Sequence, residues 1–243
     1  MSAPQTGLNR APGKDPEKDP ELWIALESSS RSASVAVALG SGERVERMLS
    51  SERAHASDLL PSVEGALREL DRTPAQIDAV VIGTGPGSYT GLRVGIASAL
   101  GLAYSCNASL IALPSLNALA FDKLSPGQDG LVIANAHAGA LYLASFRHTG
   151  DDVEVLREPA VMSPAEVREI LSDPHGRILT DGFAAQELEL SDEPEGRITI
   201  GSVPGAGALL ELGRKQFARR GADDPESIEP LYLRPFQAKP RKR

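Results

Sequence analysis

The sequence predicts an α/β protein in which one order of elements, strand-strand-strand-helix-strand-helix, occurs twice along 243 residues. Two observations carry this reading. Each half opens on short apolar or alternating runs of strand length, and each then passes to helical spacing, back to a short apolar run, and to a second helix. With 41% hydrophobic residues, the chain is also long enough to bury two modest cores.

In the first half, WIALESS and SASVAVALG read as two strands joined by a polar turn, and ERVERMLSS alternates like a third, exposed strand. In SDLLPSVEGALREL, Leu59, Leu60, Val63, Leu67 and Leu70 share one helical face, with Ser57 as cap and Pro61 in the first turn. TPAQID offers a Thr-Pro helix start, AVVIGTG is a buried strand, and the glycine-rich segment that follows opens a helix running to about Tyr104.

In the second half, LVIANA, ALYLASFR and DVEVLREPAVM are strands, SPAEVREILSD is a helix capped by Ser163, RILTDG is a buried strand and GALLELGRKQFARR is a closing helix. SLIALPSLNALAFDKL bridges the halves. Three antiparallel strands leading into alternating helix and strand, duplicated, is the architecture of actin, hexokinase and Hsp70. The expected fold class is therefore a duplicated actin-like (ASKHA, ribonuclease H-like) two-domain α/β fold. The expected division is a disordered tail over residues 1–21, a first subdomain over 22–107, a second over 108–204, a closing helix over 205–222 and a C-terminal extension with a basic tail over 223–243.

Charge and composition narrow the function classes. The net charge is −8; the first twenty residues balance, and the terminal KPRKR carries four cations, so the body between them stands at −12. Such a body is not expected to hold nucleic acid alone. The N-terminal stretch is polar and proline-rich, unlike a signal peptide, and no apolar run reaches about eighteen residues, so a cytoplasmic protein without membrane contact is expected. Cys106 is the single cysteine, expected to be a buried inert thiol, which excludes an internal disulfide and a multi-cysteine zinc site.

The segment GTGPGSYTGLRVG, residues 83–95, holds five glycines. It lacks the lysine of a phosphate-binding GxxxxGK loop, and its spacing does not fit GxGxxG. A tight turn with Ser88 as helix cap explains Gly85, Pro86 and Gly87 but not Gly91 and Gly95, which lie inside the helix on one face with Ser98, Ala99 and Leu102. Each costs about 0.5–1 kcal/mol relative to alanine, so close approach of another backbone must offset them. That backbone belongs either to the chain itself or to another chain. Leu92, Ile96 and Leu100 form a separate stripe for the domain's own core.

At these residues a resemblance appears. GTGPGSYTGLRVGIASALGLAYS, preceded by HASDLLPSVEGALREL and followed by LPSLNALA and PLYLRP, resembles the TsaB family, partner subunits in bacterial threonylcarbamoyladenosine tRNA modification. The likeness runs from about residue 23 to about residue 235. It implies an actin-like fold, a non-catalytic role, a homodimer when alone, heterodimerisation with the related catalytic subunit TsaD, an ATPase subunit TsaE completing the system, and tRNA reached only through the complex. The helices of residues 57–70 and 88–104 are then the expected partner surface, with Leu59, Val63, Tyr89, Gly91, Leu92, Gly95, Ser98, Ala99 and Leu102 as candidate contacts.

The residues that chemistry would need agree with a non-catalytic role. Actin-like kinases and ATPases hold magnesium nucleotide between two hairpins, each with an aspartate. Here the hairpins read ALESSSRSAS and IANAHAGALY, with Glu27 where the family usually has Asp, Asn135 where an acid is common, and no arginine where relatives often have DARR. His55, His137, His148 and His175 offer no i,i+4 pair, and Ser88 and Ser115 have no evident base. No catalytic, cofactor or metal residue is expected. The competing reading is a divergent nucleotide-binding phosphotransferase or hydrolase of the same fold.

Overall fold

Strands β1 (Leu22–Glu27), β2 (Ser34–Leu39) and β3 (Arg44–Met48) form where the apolar runs lie, and β3 alternates exposed and half-buried residues as its sequence does. The computed structural model describes residues 21–49, 55–172, 176–190 and 196–234. The expected N-terminal tail except Glu21, the KPRKR tail and His175 lie outside them. Helix α1 (His55–Glu69) begins before Ser57, so Ser57 is not its cap and Pro61 stands in the helix interior. Burial of Leu59, Val63, Ala66 and Leu67 against the sheet outweighs the proline, which costs a helix interior about 3 kcal/mol. A short 3-10 turn over Pro74–Gln76, entered from Thr73, leads to β4 (Ala79–Gly83), buried throughout.

Helix α2 (Tyr89–Cys106) is capped by Ser88 as expected and ends at Asn107 in the left-handed conformation. Cys106 is half-buried rather than buried, because it is the last residue of that helix. The bridge SLIALPSLNALAFDKL becomes β5 (Ser109–Leu113), which extends the first sheet past residue 107, and α3 (Ser115–Lys123).

The second half supplies β6 (Asp129–Asn135), β7 (Leu141–His148), β8 (Val153–Met162), α4 (Pro164–Leu171) with its Ser163–Glu166 capping box, and β9 (Arg177–Thr180). Helix α5 (Gly182–Glu187), β10 (Ile198–Ile200) and α6 (Ala206–Arg220) complete it.

The sheets have equivalent orders, β3-β2-β1-β4-β5 and β8-β7-β6-β9-β10. In each, the first three strands are antiparallel and the last two join in parallel. The duplication therefore extends further than the sequence showed: each half is βββαβαβ followed by a helix. Helix α5, not α6, is the counterpart of α2, and α6 is the counterpart of α3. The fold is a duplicated actin-like α/β fold.

The cores stack in layers. Helices α1 and α2 cover one face of the first sheet through Leu59, Val63, Leu67, Ile96 and Ala99 against Ile24, Leu26, Val37 and Ile82. Its other face, Trp23, Ala25, Val81 and Ile111, receives α6 and part of α3. Helix α3 turns Leu116, Leu119 and Ala120 to Val132, Ala144, Phe146 and Leu179 of the second sheet, whose far face takes α4 and α5. Helix α6 returns to the first sheet because Leu209, Leu210 and Leu212 bury against that face, and its N-terminal amides are satisfied there: Ala206 donates to Ser34 Oγ and Gly207 to Glu46 Oε1, each at 2.9 Å.

Candidate functional site

The glycine segment closes on the first hairpin of its own chain. Gly85 has φ +100° and begins a cis Gly85–Pro86 bond, Ser88 N donates to Ser29 O at 2.7 Å, and Ser88 Oγ accepts from Gly91 N at 3.2 Å. Ser28 Oγ donates to Gly91 O at 2.9 Å. A Cβ at Gly87, Gly91 or Gly95 would stand less than 3.0 Å from Ser29 O, Ser28 O or Ser28 Oγ respectively. The backbone that approaches α2 is thus the turn Ser28–Ser29, and the intermolecular alternative for Gly91 and Gly95 is corrected.

That packing decides which candidate contacts face outward. Leu59, Leu92 and Ala99 are fully buried, Val63 nearly so, and Gly91 and Gly95 are sealed by Ser28. These six serve the core and are not open to a partner in this conformation. Tyr89, Ser98 and Leu102 are half-buried. The outer stripe of α2 is instead Thr90, Arg93, Ala97, Gly101 and Tyr104, and Leu60 is exposed on the neighbouring helix α1. Tyr104 is 77% exposed and Leu60 45%. The sequence carried a signal for this stripe: α2 has a single charged residue, Arg93, in eighteen, whereas a helix with one face in water has a polar outer side.

The second feature is the cleft between the lobes, about 260 Å³, lined by Ser29–Ser32, Pro86 and Gly87 on one side and Asn135, His137, Tyr142, Asp181 and Phe183 on the other. Its polar groups are turned to holding the hairpins. Asn135 Oδ1 accepts from His137 N at 2.7 Å, and Asp181 divides its carboxylate between Asn135 N and Ala184 N, both at 2.7 Å. Glu27 does not reach the cleft: it is fully buried, and its Oε2 lies where a Cβ on Gly83 would be. These residues do not fit a magnesium nucleotide, since neither hairpin aims a carboxylate at the space between them. Ser115 Oγ, also buried, accepts from Gly85 N at 3.1 Å, and Ser88 Oγ caps α2, so both hydroxyls act within the fold.

Burial pushes the Glu27 carboxyl above the usual range, against the pull of its hydrogen bond from Ser29 N to Oε1 at 2.7 Å. The nearby Ser115 hydroxyl also pulls the value down, and Oε2 has no hydrogen-bond partner of ordinary geometry. The fold therefore favours the neutral acid. That preference is fully present below the ordinary glutamate range and is lost as pH rises through the raised folded value. Glu27→Gln should accordingly gain in Tm over the parent protein as pH is raised from about 4 to about 7. A constant or shrinking difference between the two melting curves would contradict the assignment.

Comparison with known proteins fixes the family. The model of the family described as TsaD, tRNA N6-adenosine threonylcarbamoyltransferase, matches residues 49–203. The chain belongs to this family. It is a TsaB/YeaZ-type member. It is 34% identical over 195 residues to an uncharacterized protein of Mycobacterium tuberculosis strain H37Rv, covering 80% of this chain and 82% of the other. It is 28% identical to the tRNA threonylcarbamoyladenosine biosynthesis protein TsaB of Haemophilus influenzae, covering 87% and 92% respectively. A crystal structure from Pseudomonas aeruginosa, described as an uncharacterized protein with similarity to peptidase YEAZ, superposes with a TM-score of 0.74 at 25% identity, over 88% of this chain and all of that one. Among the described residues, no helix is long and apolar enough to cross a membrane, and no three His, Cys, Asp or Glu side chains stand together as a metal site.

Proposed function

We propose that this chain acts in tRNA threonylcarbamoyladenosine biosynthesis as a non-catalytic activator that binds a TsaD-type catalytic subunit through the outer face of α1 and α2. The pathway is that of the relatives named TsaB in Haemophilus influenzae and Escherichia coli. The observation that carries the surface is the nearly uncharged outer stripe of α2, with Tyr104 and Leu60 in the open. An exposed face with a tyrosine towards one end, a lone arginine towards the other and small uncharged residues between them has the composition of a protein-binding patch.

In this reading the glycine loop has a mechanical role. By seating Ser28 and Ser29 on Gly87, Gly91 and Gly95, it fixes α2 to β1 and β4, so the face is presented preformed and little entropy is lost on docking. Activation then follows from tighter binding to the active conformation of the partner than to the inactive one. A TsaE-type ATPase joins the same cytoplasmic system, the chain pairs with itself when alone, and tRNA is met only in the complex.

Co-purification with the TsaD-type subunit of the same organism tests the proposal: a stable complex is expected, and its absence at micromolar concentrations would contradict it. Calorimetric titration with magnesium ATP tests the non-catalytic part. No saturable heat is expected, and one-to-one saturable binding would overturn it.

A further inference from the structure

The last described residues cross from one lobe to the other. Past α6, Asp223 N donates to Leu110 O and its carboxylate accepts from Ala112 N, both at 2.8 Å, which ties the chain to the edge of β5. Leu231 N donates to Thr84 O at 2.8 Å, beside the glycine loop. Tyr232 stacks on Tyr89, the first residue of α2, at 4.8 Å, and its hydroxyl accepts from Arg93 Nε at 3.2 Å. The Arg93 guanidinium lies 4.7 Å from the centre of the Tyr89 ring.

Two residues on, Arg234 leaves the first lobe. Its Nη1 donates to Ala136 O at 2.7 Å and also to His137 O, both in the turn of the second hairpin. That turn holds His137 and Ala138 at φ 60° and 50°, a region that residues with a Cβ avoid, followed by Gly139 at 73°. Its own bonds include Ala140 N to His137 O, Ala136 N to Ala140 O and His137 N to Asn135 Oδ1. A strained turn persists where neighbouring groups over-determine it, and Arg234 is the group that does so from the end of the chain, beside Asn135 and Asp181 within the lobe.

We propose that Leu231–Arg234 is a latch that couples the exposed start of α2 to the second hairpin of the cleft. While Tyr232 is docked on Tyr89 and Arg93, Arg234 holds the 136–140 turn; a ligand or partner that takes Tyr89 and Arg93 for itself releases both. The link is suited to exchange, because it rests on one stack and a few hydrogen bonds with Tyr232 at 39% exposure. Release frees the turn without swinging the lobes apart, since the opposite side is held by Lys215 on Asp151 and by Gln216 and Arg219 on Asp152. The latch belongs to the isolated chain; only the identity of what releases it rests on the proposed partner.

Amide hydrogen exchange on the full chain tests it, with Ala140 N reporting the turn and Val80 N in β4 reporting the core. Tyr232→Ala, which removes the ring stacked on Tyr89 and the hydroxyl on Arg93, is expected to speed exchange at Ala140 about tenfold, as is Arg234→Ala, with Val80 unchanged in both. The double variant should exchange no faster than either single one, because each breaks the same link. Ala140 exchange unchanged in Tyr232→Ala would show that Arg234 holds the turn without docking and would overturn the coupling. An unchanged rate in Arg234→Ala, or additive effects in the double variant, would do the same. Because these residues lie on the surface, a rise at Val80 would mark a global effect and would likewise count against a local latch.

Discussion

Gly95→Leu is expected to destabilise the folded chain by about 3 kcal/mol, roughly 10 °C in Tm, before any partner is added. The side chain would have to enter the space of Ser28 Oγ and press on Ile82 Cδ1, moving the first hairpin off α2. Gly101→Ala, six residues along the same helix, is expected to do the reverse. Nothing lies within 4 Å of a Cβ there, so the helix gains about 0.5–1 kcal/mol from the better helix former. Two glycines of one helix thus differ in sign because one meets its own chain and the other meets solvent. Paired melting curves check both. Equal Tm values for Gly95→Leu and the parent protein would reopen the intermolecular role for this face.

The second large effect is on association. Tyr104→Asp and Leu60→Asp place charge on the exposed sides of α2 and α1, so each should lower Tm by only a few degrees, through the carboxylate near the C-terminal end of α2 and the lost half-burial of Leu60, while weakening binding to a TsaD-type subunit by about 2 kcal/mol, or roughly thirtyfold in Kd. Size-exclusion chromatography of the chain alone and binding assays with the partner read the two consequences separately. Unchanged affinity in both variants would move the interface elsewhere.

What the sequence disclosed followed from range. Ser163 and Ser88 as caps and the all-buried β4 depend on residues a few positions apart, and each was legible. The partner of Gly91 and Gly95 was not, because Ser28 stands more than sixty residues earlier and no local pattern links the two. Helix α6 was evident as a helix, but its return to the first sheet depends on Ser34 and Glu46 in strands at the other end of the chain. Helix α5, six residues long, is too short to show a period. Glu27 was read as a departure from the aspartate usual in the family; its burial against Gly83 and Ser115 was not legible, because those residues lie more than fifty positions away.

The six candidate contacts that proved to be core failed for a related cause. On a helix apolar nearly all round, such as α2, spacing alone does not tell the side facing the sheet from the side facing outward. Tyr104 was read only as the end of its helix, and Leu60 was placed on one face with Leu59 and Val63, whereas it is 45% exposed. Only the packing of α1 and α2 on Ile24, Leu26 and Ile82 set them outside.

The central proposal is activation by contact. Its most direct measurement is nucleoside analysis of tRNA incubated with a TsaD-type subunit, a TsaE-type ATPase, ATP and threonylcarbamoyl adenylate. Modification of the adenosine beside the anticodon should stay near background without this chain, rise when it is added, persist with Glu27→Gln, and fall back with Tyr104→Asp combined with Leu60→Asp. Full modification in the absence of the chain, or loss of modification with Glu27→Gln while partner binding persists, would contradict a non-catalytic activator.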